Sequence, residues 1–306
     1  MPSLKEVRNR ISSTIGTQQI TSAMKMVSAS KLRKAQDAII AMRPFSQKLD
    51  DILKNLLKSE SSSIGEFGKA RNPDKVTLII LTSNRGLCGG FNSSVIKAAN
   101  NMITAKYAEQ AKKGNVNVVC IGKKGTDFFR KTKIKILASR NEVWDKLTYS
   151  QAAEIMEDVI KKYLAGEIDR VEIIYNRFKN AATQLLSAEQ ILPFENTAVK
   201  NAGEAKTARN DSSAGNKRAD IDFIFEPDKE LIIKELIPYS LKVRLFRSLL
   251  DSFAAEHGAR MTAMHKATDN AQELLRSLRL TYNKARQAAI TKEILEIVGG
   301  AEAIKN

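Results

Sequence analysis

The stretch that decides the fold is residues 250–289, LDSFAAEHGARMTAMHKATDNAQELLRSLRLTYNKARQAA. Mostly apolar or small residues recur there at alternating spacings of four and three, the repeat of a helix that packs along another helix. The seam consists of Leu250, Ala254, His257, Met261, Met264, Thr268, Ala271, Leu275, Leu278, Tyr282, Ala285 and Ala289. Because residues 239–298 contain no proline and Pro238 suits a first helical turn, the sequence predicts one helix over 239–298, within a C-terminal segment 228–306.

A second long helix is predicted over residues 1–58, with a local kink at Pro44. Its seam consists of Leu32, Ala35, Ile39, Met42, Phe45, Leu49, Ile52 and Leu56. Two long helices that leave one compact middle region are expected to pack antiparallel. The termini therefore predict a long coiled coil.

The middle region, residues 75–227, alternates strand and helix patterns. Apolar runs predict strands at 76–81, 116–121, 171–175 and 183–192, and a helix is predicted at 149–165. This alternation is typical of a Rossmann-like α/β domain with a mainly parallel sheet. Residues 196–219, which have Val199 as their only large apolar residue, predict a mobile surface loop.

The charge is strongly positive and is concentrated on the two predicted helices. The chain of 306 residues has 50 Lys and Arg against 34 Asp and Glu, a formal charge of +16. Residues 1–58 carry 11 basic and 4 acidic side chains, and residues 239–298 carry 10 and 6. A basic rod favours an acidic partner. A nucleic-acid-binding or scaffold coiled coil remains an alternative, although aromatic residues are almost absent between the basic ones.

No enzyme site is evident in the sequence. The turn 83–92, SNRGLCGGFN, and the turn 122–126, GKKGT, lack the spacing of phosphate-binding loops, so both are predicted to be structural. His257 and His265 are too far apart to share a metal, and His257 belongs to the seam. Cys88 and Cys120 are expected to be buried thiols. We therefore predict no catalytic, cofactor or metal residues, which favours an interaction or mechanical subunit.

The chain is also expected not to span a membrane itself. The start MPSLKEVRNR carries mixed charge and resembles neither a signal nor a transit peptide. No stretch approaches the ~18 uninterrupted apolar residues of a membrane helix. Any role at a membrane would be exerted through partners.

Several long motifs resemble the gamma subunit family of F-type ATP synthases. In the C-terminal part they are EHGARMTAM at 256–264, ATDNA at 267–271, NKARQA at 283–288 and ITKEILEIV at 290–298. ITSAMKMV at 20–27, KLRKA at 31–35 and the SNRGLCGGFN turn match the other landmarks of the family in order. The resemblance covers nearly the whole chain. Asn84 stands where an Asp is common, and the redox insert of the chloroplast branch is absent.

The resemblance implies a non-catalytic rotor subunit that couples proton-driven rotation of a c-subunit ring to ATP synthesis or hydrolysis by three alpha and three beta subunits. It implies that beta is contacted by Met24, Lys25, Arg286, Gln287, Thr291 and Glu293. It implies that Phe223, Phe225 and Glu226 contact the c ring and the epsilon subunit. Without a transit peptide, we expect a bacterial protein bound peripherally to the cytoplasmic side of the inner membrane, with no nucleic-acid partner.

Overall fold

The computed structural model describes residues 3–58, 67, 68, 71–194 and 229–305. The helices are α1 Leu4–Lys58, α2 Phe91–Asn101, α3 Ala108–Lys112, α4 Lys123–Phe129, α5 Tyr149–Leu164 and α6 Lys229–Lys305. The strands are β1 Val76–Leu81, β2 Val116–Ile121, β3 Lys135–Ser139, β4 Arg170–Phe178 and β5 Gln184–Leu192. The predicted loop 196–219 and the predicted contact residues Phe223, Phe225 and Glu226 lie outside the described residues.

The strands form one sheet in the order β3-β2-β1-β4-β5. The first four are parallel, and β5 runs antiparallel to β4. Side chains of β1 alternate between two cores: Leu78 and Ile80 pack with residues of α2, whereas Ile79 and Leu81 pack with residues of α5 and α6. The predicted α/β class with a mainly parallel sheet is confirmed. Strand β3, which the sequence analysis did not predict, is only partly buried.

Helices α1 and α6 pack antiparallel and form a rod that leaves the α/β head. Arg8 Nη2 donates to the Tyr282 hydroxyl at 3.0 Å, and the Thr21 and Thr268 hydroxyls are 2.9 Å apart. Nearer the head, an Arg244 nitrogen lies 3.6 Å from an Asp50 carboxylate oxygen. The residue numbers of these contacts thus increase along α1 and decrease along α6. The predicted antiparallel coiled coil is confirmed.

The seam predicted for α6 is confirmed, but that of α1 is wrong at two positions. All twelve predicted α6 positions are buried or half-buried. In α1, Phe45 and Ile52 are 45% and 43% exposed, whereas Ser46 and Leu53 are buried. The buried series keeps strictly alternating steps of three and four, because only that spacing keeps facing a partner helix over several turns. Helix register, rather than hydrophobicity, therefore determines which residue is buried. Ser46 lies in the seam, and the neighbouring Phe45 does not.

The predicted start of the last helix is also wrong, since α6 begins at Lys229 and Pro238 lies inside it. Ile233, Ile237 and Leu241 follow the helical spacing on both sides of the proline and are fully buried in the core. Burying three such side chains contributes several kcal/mol, at about 1.5–3 kcal/mol each, which exceeds the ~3 kcal/mol cost of an interior proline. Pro44 likewise lies within α1, and the kink there stays a prediction.

Candidate functional site

The end of α6 projects beyond its partner helix. Because Arg8 is level with Tyr282 and α1 begins at Leu4, roughly the last 19 residues of α6 have no α1 residue opposite them. At ~1.5 Å per residue this single-helix tip is almost 30 Å long. Every side chain from Ile290 to Ala301 is exposed. They include large apolar side chains that lie off the seam, namely Ile290, Ile294, Leu295, Ile297 and Val298. Sequence reasoning did not single these residues out, although their departure from the seam was a usable signal.

Four predicted contact residues lie on this tip or at its base. Arg286, Gln287, Thr291 and Glu293 are all exposed. The Thr291 hydroxyl donates to the Gln287 carbonyl at 2.9 Å. At 3.6 residues per turn, Arg286 and Glu293 share one face, and Gln287 and Thr291 share another, roughly 130° away around the helix. The four side chains therefore form two polar pairs within about two turns, which together are called the polar surface below.

Met24 and Lys25 lie elsewhere on the rod, and both are half-buried. Lys25 Nζ is 3.4 Å from His265 Nδ1, and the same imidazole nitrogen is 3.3 Å from an Asp269 carboxylate oxygen. Because Lys25 is level with His265, these residues are roughly 30 Å from Arg286 along the helix. The structure thus separates the six predicted contact residues into two groups.

At the junction between rod and head, Arg260 of α6 combines a buried ion pair within its own helix with hydrogen bonds to the head, a contact that the sequence analysis missed. Arg260 Nη1 lies 2.5 Å from a Glu256 carboxylate oxygen, and the two side chains are only 9% and 8% exposed. Arg260 Nη2 also donates to the carbonyl of Arg85 at 3.1 Å and is 3.4 Å from that of Gly86. Burial raises the pKa of Glu256, and the adjacent Arg260 guanidinium opposes that shift. One arginine of α6 therefore holds the turn 83–92 against the rod.

Side chains within the turn complete its hydrogen bonds. The Asn92 amide oxygen accepts from the Ser83 backbone N–H at 2.9 Å. Asn84 donates its amide to the Asn141 carbonyl at 2.8 Å and accepts from the Lys123 N–H at 3.0 Å. An aspartate at position 84 could only accept, so the departure from the more common residue has a direct structural use. These contacts are those of a structural turn, and that it holds no phosphate stays a prediction.

The crevice at the carboxyl ends of β1 and β4 is covered by α6. An added Cβ at Gly258 would lie 3.2 Å from the Ala181 carbonyl oxygen, and the Thr262 hydroxyl donates to the same carbonyl at 3.1 Å. Gly258 thus allows α6 to approach the segment between β4 and β5. This crevice is the usual ligand position in open α/β sheets, and here a helix covers it.

The second glycine turn, 122–126, joins β2 to α4, as its sequence predicts. Gly122 has φ +115°, and an added Cβ would lie 1.8 Å from the Thr82 carbonyl oxygen. Lys123 and Lys124 at the start of α4 are exposed. The turn lies beside the covered crevice and, like the turn 83–92, is closed by contacts within the protein.

We expect the Lys123→Ala/Lys124→Ala variant to bind ATP and NAD with the same affinity as the wild-type chain. The reason is that the N–H groups of residues 123–126 all donate hydrogen bonds within the chain, which leaves none of them for a phosphate. The measurement is the nucleotide-dependent rise in thermal midpoint, which tracks binding to the native state. A rise in the wild-type chain that this variant loses would contradict the structural assignment.

The thiols and the seam histidine are buried, as predicted. Burial raises the pKa of the Cys88 thiol, and it raises that of Cys120 to about 12. His257 packs edge-on to Phe253, and burial lowers its pKa to about 3, so the imidazole is neutral near pH 7. Within the described ranges, no group of three or more His, Cys, Asp or Glu side chains is arranged to hold a metal ion. No helix in those ranges is long and apolar enough to cross a membrane.

Comparisons with known proteins agree with the resemblance read from the motifs. The ATP synthase family model matches residues 3–304. The ATP synthase gamma chain of Flavobacterium psychrophilum is 53% identical over 306 residues, with all of both chains covered. That of Flavobacterium johnsoniae is 54% identical over 305 residues, covering 99% of each chain. That of Chlorobaculum tepidum is 44% identical over 306 residues, again with both chains fully covered.

Solved structures share the fold at lower sequence identity. A chain of the Euglena gracilis mitochondrial ATP synthase, from an OSCP, F1 and c-ring structure, aligns with a TM-score of 0.66 at 19% identity, covering 98% of this chain and 94% of that one. A chain of the Tetrahymena thermophila central stalk and c-ring structure aligns with a TM-score of 0.58 at 24% identity, covering 81% and 99%. From the full-length family match and the high identity to bacterial relatives, the chain belongs to the ATP synthase gamma chain family.

Proposed function

We propose that this chain is the central-stalk rotor subunit of a bacterial F1Fo ATP synthase. It carries no catalytic residues of its own, and it couples proton-driven rotation of a c ring to conformational change in the alpha and beta subunits. The complex lies at the cytoplasmic side of the inner membrane, to which this chain is bound peripherally through its partners. Of the structures compared above, one is of F1 with the c ring and the other of the central stalk with the c ring, which supports the role.

The observation that carries the proposal is the one-sided rod. An antiparallel pair that ends in a single helix is asymmetric about its long axis, so turning it presents different side chains to each surrounding subunit in succession. Such differential contact is what shifts a partner between states. Arg260, held by its buried pair with Glu256, donates to the Arg85 carbonyl and so ties the rod to the head, so that rotation of the head is transmitted to the rod.

The partner surfaces follow from exposure and charge. We assign contact with beta to the polar surface of Arg286, Gln287, Thr291 and Glu293, and to the separate group of Met24 and Lys25. The positive charge of both helices favours acidic segments on the partner. We assign contact with the c ring and the epsilon subunit to Phe223, Phe225 and Glu226 by the family resemblance alone.

Co-purification with a tagged beta subunit tests the proposal directly. The chain, co-expressed with alpha and beta from the same source, should be retained with the tag, and its retention should weaken as ionic strength rises. A duplex DNA titration is the comparison. The proposal fails if the chain is not retained and instead binds DNA tightly with a steep salt dependence. That nucleic-acid alternative, like the scaffold alternative, gains no support from the comparisons.

A further inference from the structure

A cleft of about 590 Å³ lies where the rod meets the head, and no role proposed above uses it. Its walls come from α1, α6, the end of β4 and the start of β5. Its size is within the ~300–1,000 Å³ range typical of sites for small ligands. The apolar part of the wall includes the half-buried ring of Phe178.

Most of the charged side chains that line this cleft are basic. Four of them, all exposed, line it: Arg43, Arg177, Lys179 and Arg247. Among the described residues, the only carboxylate within salt-bridge distance of any of the four is Asp50, 4.0 Å from Arg247. Like charges gathered in one concave surface repel one another, and this repulsion is relieved when an anion enters.

One acidic side chain also lines the cleft. Asp251 is 8% exposed, and its burial raises the pKa of its carboxyl, a shift that Arg247, Arg177 and Arg43 oppose. Glu189, which accepts a hydrogen bond from the Tyr175 hydroxyl at 2.8 Å, acts on Asp251 as a second negative charge. Together with Asp50 beside Arg247, these carboxylates offset three of the four cations, so the cleft keeps a small excess of positive charge.

We propose that this cleft binds a small polyphosphate anion, whose oxygens accept hydrogen bonds from Arg43, Arg177 and Arg247. Guanidinium groups suit this ligand because their paired N–H groups match phosphate oxygens in a bidentate arrangement. An inorganic polyphosphate and a nucleoside triphosphate share this chemistry. The ring of Phe178 offers a surface that only the nucleotide would use. The proposal does not rest on the rotor function, since every residue involved belongs to this chain.

Calorimetric titration of the full-length chain with tripolyphosphate and with ATP tests the proposal. We expect one site per chain. Arg43→Gln/Arg177→Gln should weaken binding at least about tenfold, because two charge-assisted contacts are lost. Arg276→Gln/Arg279→Gln removes the same charge from exposed positions of α6 outside the cleft and should change the affinity less than about twofold. If both ligands bind with equal affinity, the cleft recognises the phosphates alone. If ATP binds more tightly, the Phe178 ring also contributes to recognition.

A second variant tests the cleft from the opposite direction. Asp251→Asn keeps the shape of the side chain and removes a negative charge, so it should tighten binding severalfold, whereas Asp74→Asn on the exposed surface should not. The proposal is overturned if neither ligand binds, or if both arginine double variants lose the same affinity. It is also overturned if a hexaglutamate peptide binds more tightly than tripolyphosphate and loses that affinity in Arg43→Gln/Arg177→Gln, since the cleft would then receive an acidic peptide segment.

Discussion

Replacing Arg260 with alanine is expected to destabilise the chain by about 3–5 kcal/mol, because the change leaves the buried Glu256 carboxylate without its partner. The carbonyls of Arg85 and Gly86 lose a donor in the same step. Urea unfolding can be followed through Trp144, the only tryptophan of the chain. Its ring stacks on Phe253 in the core that α5 and α6 form with the sheet. Arg276→Ala, at an exposed position of the same helix, should stay within about 0.5 kcal/mol of wild type.

The stability of Arg260→Ala should depend on pH, because the variant leaves the buried Glu256 carboxylate unpaired. Burial already raises the pKa of Glu256, and removing Arg260 takes away the strongest influence that lowers it. A carboxyl whose pKa is higher in the folded state costs stability as pH rises through the interval between its unfolded and folded pKa values. The deficit of Arg260→Ala should therefore be larger at pH 8 than at pH 5.

A double variant separates the ion pair from simple packing. Glu256→Gln/Arg260→Met removes both charges, so it should recover much of the stability that Arg260→Ala loses. If Arg260→Ala is as stable as Arg276→Ala at both pH values, the pair does not hold the turn 83–92 to the rod. If the double variant is no better than the single one, the carbonyl contacts rather than the unpaired carboxylate determine the cost.

The antiparallel rod could be predicted because the seam is a local, repeating signal. Twelve positions of α6 follow one spacing, and each turned out buried or half-buried. In α1 the same reasoning assigned Phe45 and Ile52 to the seam because they are apolar, but register favoured Ser46 and Leu53. A repeating pattern identifies the buried face of a helix only if the residues at which the pattern starts are known. In α1 those residues depend on how the partner helix packs.

The contact between Arg260 and the head could not be predicted from the spacing of residues in the sequence. Arg260 contacts the carbonyl of Arg85, which is 175 positions away in the chain. Nothing local to Glu256 and Arg260 distinguishes this pair from an ordinary exposed pair four residues apart on a helix. Its importance depends on burial, which only the folded arrangement of head and rod creates. The cationic cleft is of the same kind, since Arg43, Arg177 and Arg247 come from three separate elements.

Arg286→Ala/Gln287→Ala is expected to lower ATP turnover by the assembled complex by about five- to 150-fold, the range of a coupling free energy of ~1–3 kcal/mol. Both side chains are exposed, so their loss removes possible partner contacts without disturbing the seam. Nucleotide binding at beta should be nearly unchanged, because the variant alters only the subunit that shifts beta between states. Steady-state hydrolysis and nucleotide titration of the same preparation measure the two effects.

The matched control is Gln272→Ala/Arg276→Ala, which removes the same two residue types from exposed positions of the same helix. It should keep turnover close to that of wild type. Met24→Lys probes the other group: it adds a positive charge beside Lys25, where an acidic segment of beta could be trapped in one position. That variant should reduce ATP-driven proton pumping more than it reduces assembly.

These outcomes separate the contact residues from the rotor function. The polar surface at Arg286 is roughly 30 Å from Met24, so the two variants act on different contacts, and their effects on coupling should be nearly additive. If both variants assemble with wild-type turnover and pumping, then neither group contacts beta in a way that matters for coupling. The contact would then be expected at the exposed apolar side chains of the tip, where Ile294 and Leu295 remain untouched by either variant.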